Sequence, residues 1–569
     1  MASEGGDSVT GAGNRALGGA GRADCSTESP GRPYPLSRSD GGEPQSKPAV
    51  APAEGPSLRP ILLFVGLAAV AHTARFADLS HTLDDSWISF RIARNLVEHG
   101  LLTHDVTMPP VEGMTNLLWT LLSALWIGGL PEMDPIVPVR LMGSALHVAA
   151  VVVAARRVGI VVHRIGGDGG RAALLSGGLL AASGSMAFHA VGGLETPLWS
   201  LLFIGVADRL DAAWEGQPQQ AWVVGGLLAL LAATRPEGLL VAGMVGAMVM
   251  VVRRDLAIGV VVPAVLGVVA LEAFRLAVYG SLVPNTFFAK PPWAANGLVD
   301  LSFWWRFGVG VIGPLAVVPA LNRPRVRGLL TIAVVLVAGT VWSGGDWMPG
   351  HRRFTLPMVC LAMAAGIGVG VAKERWQQLL LGASVLTWTL SLAFSGFTGL
   401  DNSSFTHLPY QVLGVRLNAS PGVDQVAALD IGTLGWHYRG RVLDLGGLTD
   451  AHIAREVEGR HMSKWDESYF RERKPEVALS LFHHRGPLRV PLEAEPRPRI
   501  GPEAAMVRSI LKNGGYRLHS AWGLTATMSV VVFRRDDVRL PEEVWGPESP
   551  HDLRDMLSEF QGRSPIGRD

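Results

Sequence analysis

The chain has 569 residues, 48% of them hydrophobic and only 17% charged. Soluble globular proteins are about a quarter charged, so the deficit excludes an ordinary soluble protein and points to a polytopic membrane protein. A net charge of +1 gives no basis for a nucleic-acid partner, and two cysteines, Cys25 and Cys360, exclude a disulfide scaffold or a thiolate metal site.

Residues 1–57 are rich in Gly, Ser, Pro and charge. Such a segment buries too little apolar surface to offset its ordering entropy, so it reads as a disordered cytoplasmic tail. The first apolar run starts near residue 60, too far from the N-terminus for a cleaved signal peptide, and reads as a retained anchor.

Apolar runs lie at 60–78, 114–130, 136–156, 172–191, 197–213, 221–234, 238–252, 256–279, 303–321, 328–343, 354–372 and 377–397. Several fall short of the roughly 20 residues a crossing helix needs. The clusters Arg156/Arg157 with Arg164, Arg253/Arg254, Arg323/Arg325/Arg327 and Lys373/Arg375 belong on the cytoplasmic side. If every run crosses, all of them land outside. If 114–130, "MTNLLWTLLSALWIGGL", lies in the interface instead, all of them move inside. Its polar stripe of Asn116, Thr120 and Ser123 and its two tryptophans suit that position. The expectation for residues 58–399 is therefore about eleven transmembrane helices plus interfacial helices. The short runs 221–234 and 238–252 would meet the outer face around Arg235–Glu237.

The same parity gathers the polar motifs on the outer side: "LDD" (83–85), "VEGMTN" (111–116), "GGLETP" (192–197), "TRPEG" (234–238), "VPNTFFAK" (283–290) and "SGGDWMPGHRR" (343–353). A charge at membrane depth costs about 2.5–3.5 kcal/mol on the insertion scale. So many acids and bases at helix ends on one face point to a polar cavity opening outward. Residues 400–569 hold no run long enough to span. "VAALDIG" (426–432), "RVLDLGG" (441–447), "EVALSLF" (476–482) and "MSVVVFRR" (528–535) read as strands of a soluble, extracytoplasmic α/β domain. "GGDGG" (166–170) sits in a cytoplasmic loop with no preceding strand, which gives a phosphate-binding loop very weak support.

Within "LDDSWISFRIARNLVEHG" (83–100), Ile88, Ile92 and Leu96 recur at helical spacing, with Arg91, Arg94, Asn95 and Glu98 on the other side and Gly100 as the stop. Too polar to cross, this helix is expected to lie on the outer interface. Asp84 and Asp85 open it. One Asp satisfies the cap and the helix dipole. The other could take a proton from an attacking hydroxyl, or join hard oxygen ligands that hold a divalent cation against a phosphate.

An acidic pair heading an interfacial helix in the first outer loop resembles the GT-C superfamily of integral-membrane glycosyltransferases. The series "DDSWISFRIARNL…GL…VEGMTNLLWTLL…GGLETPLW…TRPEG…VPNTFFAK…GGDWMPGHRRF…DIGTLGW…VLDLGGLTD", from about 83 to 450, resembles the terminal β-(1→2) arabinofuranosyltransferases of the actinobacterial cell wall and their relatives. The resemblance implies a multi-pass protein of a bacterial-type cytoplasmic (inner) membrane. Its donor is a polyprenyl-phosphate-linked sugar, with arabinofuranose favoured, and its acceptor is a hydroxyl of a cell-envelope glycan on the outer face. It implies an outer-loop Asp as base, Asp85 or Asp84 with Asp85 favoured, and Glu195 as the second acid, holding a metal with Asp85 or holding the acceptor.

On physical grounds Lys290, Arg235, His351 and Arg352 are candidates for the lipid phosphate, and Asp346 and Trp347 for the sugar. Glu112, Asn116, Glu237 and Asn285 complete the expected substrate-binding set. A divalent cation is the one cofactor these residues suggest. Competing readings are a mannosyltransferase-like enzyme acting on lipid or protein acceptors, and a lipid or polysaccharide transporter. A transporter should place its polar groups near the bilayer midplane, often in repeated halves; here they gather at one face, and the sequence has no internal repeat.

Overall fold

Apolar runs rich in Ala, Leu and Val coil into helices that end where Gly, Pro or charge intervenes. The structure, a computed structural model, describes residues 58–76, 82–291, 297–301, 312–346, 348, 350–381, 383, 407–483, 497–498, 501–525 and 528–545. The tail expected over 1–57, much of the runs at 303–321 and 377–397, and Trp347 lie outside the described residues. The helices of the apolar part are α1 (Arg59–Ala74), α2 (Asp84–His99), α3 (Leu117–Gly129), α4 (Ile136–Arg164), α5 (Gly169–Ala181), α6 (Gly184–Val191), α7 (Thr196–Trp214), α8 (Gln220–Thr234), α9 (Glu237–Val252), α10 (Arg254–Tyr279), α11 (Asn285–Ala289), α12 (Pro324–Trp342) and α13 (Thr355–Val371).

By length and composition, α4, α10, α12 and the run Arg352–Val371 can each cross a bilayer alone; α5 and α6, bent by 54° at their junction, make a fifth span when taken together. The apolar helices α1, α3, α8 and α9 are shorter. Among the described residues, four to five spans therefore stand on these criteria, fewer than the eleven expected from charge parity.

The charge pattern has a clear spatial counterpart. At one end of the bundle, Arg157 pairs with Asp211 at 2.8 Å, Arg325 reaches the same carboxylate at 2.6 Å, and Arg164 pairs with Glu215. Arg253 donates to the carbonyl of Trp214 at 3.3 Å. The polar motifs "GGLETP", "TRPEG" and "SGGDWMPGHRR" meet one another at the other end.

The C-terminal domain is built on a mixed sheet of β1 (Gln425–Ala428), β2 (Arg441–Asp444), β3 (Val477–His483), β4 (Arg497–Pro498), β5 (Tyr516–Thr525) and β6 (Met528–Arg535). The order is β2-β1-β3-β6-β5, with β4 pairing β3 off this path. β1 runs parallel to β2 and β3, while β6 runs antiparallel to β3 and β5. The strands expected near 426, 441, 476 and 528 are β1, β2, β3 and β6. β5, "YRLHSAWGLT", was not expected, because its polar residues hide the alternation.

Side-chain alternation gives the sheet two buried faces. Ala427, Ala478, Val531 and Phe533 pack with Met506, Val507 and Ile510 of α14 (Gly501–Asn513). Val426, Ala428, Val477, Leu479, Val530 and Val532 share a core with Leu413 and Leu417, and with Ile88 and Ile92 of α2.

This last contact corrects the expectation for α2. The helix does not lie on a surface with a wet polar side. Trp87 and Phe90 pack with Trp119, Ile136 and Leu198 of the bundle, while Ile88 and Ile92 pack under the C-terminal domain. Arg91 and Arg94 are only 4% and 5% exposed. Arg91 donates to the carbonyls of His104, Gly435 and Gly440 at 2.8 Å and of Tyr438 at 3.3 Å. Arg94 donates to the Trp436 carbonyl at 2.6 Å and lies 4.5 Å over its ring. The arginines that suggested a solvated face are instead the bolts between the two halves of the molecule.

Arg91→Ala strands four carbonyls, three of them in the C-terminal domain, and each buried unpaired acceptor costs about 1–3 kcal/mol. The variant is expected to lose several degrees of thermal stability. It should also expose the segment 432–440 to limited proteolysis, which peptide mapping would detect.

Candidate active site

The first turn of α2 presents its two carboxylates to different partners. The residue before them, Leu83, has extended backbone, and its carbonyl is capped by Ser86 Oγ at 2.6 Å. Neither Asp caps α2. Asp84 accepts from the backbone N–H of Gly432 at 2.9 Å and of Thr433 at 2.8 Å. It thus caps the short helix Gly432–His437 of the C-terminal domain. The approach is close enough that a Cβ on Gly432 would sit 1.9 Å from the Asp84 carbonyl oxygen. Burial and the neighbouring Asp430 raise the Asp84 carboxyl to about 6, against the two N–H bonds.

Asp85 has no such engagement. Its carboxylate makes no hydrogen bond among the described residues, and its charged neighbours are Lys290, Arg352, Asp346 and Asp430. Burial pushes its carboxyl above the ordinary range, and Lys290 and Arg352 hold it back. Lys290 follows the last turn of α11. Burial lowers its ammonium, opposed by Asp85. Arg352 opens the helical run after the "GGDWMPGH" loop, where Gly344, Gly345, Gly350 and His351 all have positive φ. The Arg352 Nε is buried and has no hydrogen-bond partner. One uncommitted carboxylate therefore faces Lys290 and Arg352, the latter with its Nε free and its Nη1 3.7 Å from Glu195.

Beneath this group lies a paired floor. Glu195, 1% exposed at the start of α7, receives Arg235 and a hydrogen bond from Asn116 Nδ2 at 2.9 Å, with Arg352 at 3.7 Å. Burial works against the Glu195 charge, but Arg352, Arg235 and Asn116 outweigh it and hold the carboxyl below its usual range. Arg235 and Arg353 each reach Glu237 at 3.0 Å, and Arg235 lies 5.4 Å over the Trp199 ring. Asp346 accepts from the backbone N–H of Arg353 at 2.9 Å and of Met348 at 3.2 Å, which shapes the loop that carries Arg352.

Residues from six separate motifs thus converge: Asp85, Asn116, Glu195, Arg235 with Glu237, Lys290, and Asp346 with Arg352. Glu112 and Asn285 go elsewhere. Glu112 takes both oxygens to Arg275 Nε at 3.1 Å. Asn285 clamps the C-terminal domain, donating to the carbonyls of Gly447, Leu448 and Asp450 at 3.0–3.2 Å and accepting from Arg455 at 3.0 Å. His351 turns toward Phe354, with ring centroids 6.3 Å apart. Trp347 lies outside the described residues.

Several neighbours were missed by sequence reasoning. Arg353 was legible only as the second basic residue of "GHRR". Asp430 sits inside "DIGTLGW", far from α2 in the chain. His189, fully buried, and His461, whose Nδ1 lies 3.2 Å from the Ala289 carbonyl oxygen, carried no signal.

Glu195 does not suit a divalent cation, since two guanidiniums already neutralise it. No group of three or more His, Cys, Asp or Glu able to hold a metal occurs among the described residues.

This arrangement sits on a GT-C fold. The chain superposes on the structure of ArnT from Cupriavidus metallidurans bound to undecaprenyl phosphate with a TM-score of 0.51 and 14% identity, covering 86% of this chain and 100% of that one. It superposes on the oligosaccharyltransferase of Archaeoglobus fulgidus, tethered to an acceptor peptide, with a TM-score of 0.50 and 11% identity, over 82% and 80% of the two chains. In sequence it is 26% identical to the terminal β-(1→2)-arabinofuranosyltransferase of Mycobacterium tuberculosis over 57% of this chain, and the match spans only 60% of that relative's length. Residues 407–540, most of the C-terminal domain, match a domain of unknown function, DUF8728.

Asp84 titrates from an ordinary value near 3.8 when unfolded to about 6 when folded. The stability it contributes is then full below about pH 4 and fades as pH rises through 6. Asp84→Asn is expected to flatten the pH dependence of thermal unfolding between about pH 4 and 6. It should also cost about 1 kcal/mol through the weakened cap; melting curves across that range test both.

Proposed function

We propose that the protein is a membrane glycosyltransferase that moves a sugar from a polyprenyl-phosphate donor to a hydroxyl acceptor, with Asp85 as general base. The observation that carries this reading is the free Asp85 carboxylate beside Lys290 and Arg352. A base and a phosphate-binding pair are what such a transfer requires, and they sit on the fold seen with undecaprenyl phosphate in ArnT.

The steps follow from the chemistry. The acceptor oxygen attacks the anomeric carbon while the bond from that carbon to the phosphate oxygen breaks. The electron pair leaves with the lipid phosphate, where Lys290 and Arg352 receive the charge; a guanidinium fork and a point charge suit its oxygens. Asp85 takes the acceptor proton. Glu195, fixed by Arg235 and Asn116, holds Arg352 in place, so it positions rather than reacts. Asp84 belongs to the docking of the C-terminal domain and is not the base.

Charge parity puts this end of the bundle on the outer face of a bacterial-type inner membrane, with the C-terminal domain outside. The 26%-identical relative favours arabinofuranose as the sugar and an envelope glycan as the acceptor.

Asp85→Asn in the purified protein is expected to lower kcat for transfer from a polyprenyl-phosphate sugar by about 10²–10⁴-fold, the usual worth of a general base, with KM for the donor little changed. Arg352→Gln should instead raise the donor KM as well as lower kcat. Full activity in Asp85→Asn would remove the base assignment. Thermal protection of the wild type by a polyprenyl-phosphate arabinofuranose, but not by other polyprenyl-phosphate sugars, tests the sugar.

A further inference from the structure

A polar cavity of about 410 Å³ lies along the other end of α2 from Asp85. It is lined by Arg91, Arg94, Glu98, Asp105, Asp424, Arg439 and Arg441 and by backbone around Gly440, so α2, the 105–107 loop and the C-terminal domain all contribute walls. Its size falls in the range of small-ligand sites, about 300–1,000 Å³. Val106 is its one apolar lining residue, so it is unsuited to an acyl chain.

The charges of this cavity are incompletely matched. Glu98 is committed to Arg439 at 2.9 Å, and the Asp105 carboxylate caps Thr107 at 2.7–2.8 Å. Arg91 spends its donors on neutral carbonyls. Arg94, 5% exposed, keeps a buried Nε with no partner. The Arg441 side chain forms no ion pair or hydrogen bond among the described residues. Burial and the charge of Arg439 lower the guanidinium of Arg94 to about 9 and that of Arg91 to about 10. An anion placed there would relieve that cost.

We propose that this cavity binds an anionic saccharide, a uronate or phosphorylated sugar residue, through Arg94, Arg439 and Arg441, with Thr107 and Asp424 available to its hydroxyls. On a helix rising about 1.5 Å per residue, Arg91 to His99 lie about 9–21 Å from Asp85. At about 100° per residue Arg94 lies on the face of α2 opposite Asp85, so the cavity is a saccharide site on the far side of the helix that carries the base; its use by an acceptor rests on the transferase reading, whereas binding itself does not.

The test is calorimetric titration of the purified full chain with a glucuronate-containing disaccharide and with its carboxyl-reduced neutral counterpart. The acidic sugar is expected to bind at least tenfold more tightly, and less so at high salt. Arg441→Gln and Arg439→Gln are each expected to weaken it severalfold with an unchanged melting temperature, while Asp85→Asn binds as the wild type does. Equal binding of the two sugars, or binding indifferent to both Arg variants, overturns the proposal. Arg441-dependent binding to phosphatidylglycerol nanodiscs without saccharide binding also overturns it, in favour of a lipid headgroup. A wild type that binds the acidic sugar but transfers from no lipid-linked sugar would sink the transferase reading alone. One that transfers but does not bind would sink this proposal alone.

Discussion

Arg91 gives its whole guanidinium to backbone carbonyls, and three of the four belong to the C-terminal domain. Peptide carbonyls cannot be left unpaired inside a protein, and a guanidinium cannot be buried without acceptors. Each side therefore requires the other. Arg94 on Trp436, Asp84 on the N–H groups of Gly432 and Thr433, and Asn285 on the 447–450 loop repeat the same logic around α2 and α11. The C-terminal domain is the lid that makes a polar helix at this place possible.

That docking frees Asp85. Adjacent residues on a helix point about 100° apart, so when Asp84 is turned to the C-terminal domain, Asp85 faces Lys290 and Arg352. Two like charges side by side would be costly, and the division of partners lowers that cost: one carboxylate is tied to backbone dipoles, the other to cations. Below them, Glu195 and Glu237 hold Arg235, Arg352 and Arg353 in a fixed array. An array fixed in advance needs little reorganisation when charge shifts within it.

Much of this was legible in the sequence, and the reasons are local. Apolar runs gave the helices, period-two patterns gave β1, β2, β3 and β6, and Gly100 closed α2 with φ 72°. Parity of the basic clusters brought the "LDD", "GGLETP", "TRPEG" and "HRR" motifs to one end, where Glu195 and Arg235 do pair. The strand β5 was hidden because its stabilising partner, β6, is supplied by pairing rather than by its own polar composition. Glu112 and Asn285 looked like site residues because a buried polar group signals purpose, but burial cannot say whether the purpose is docking or chemistry.

The sequence alone therefore determined the class of the molecule, a helical membrane module with an appended α/β domain, and the chemical types available at one end of it. Hydrophobic periodicity and charge bias are read along the chain, so they survive without coordinates. Only the tertiary structure decided that Asp84 belongs to the C-terminal domain and Asp85 to the cations, and that the arginines of α2 are bolts rather than a wet face. Those assignments depend on partners some 350 residues away in the chain, a separation at which no local pattern carries information.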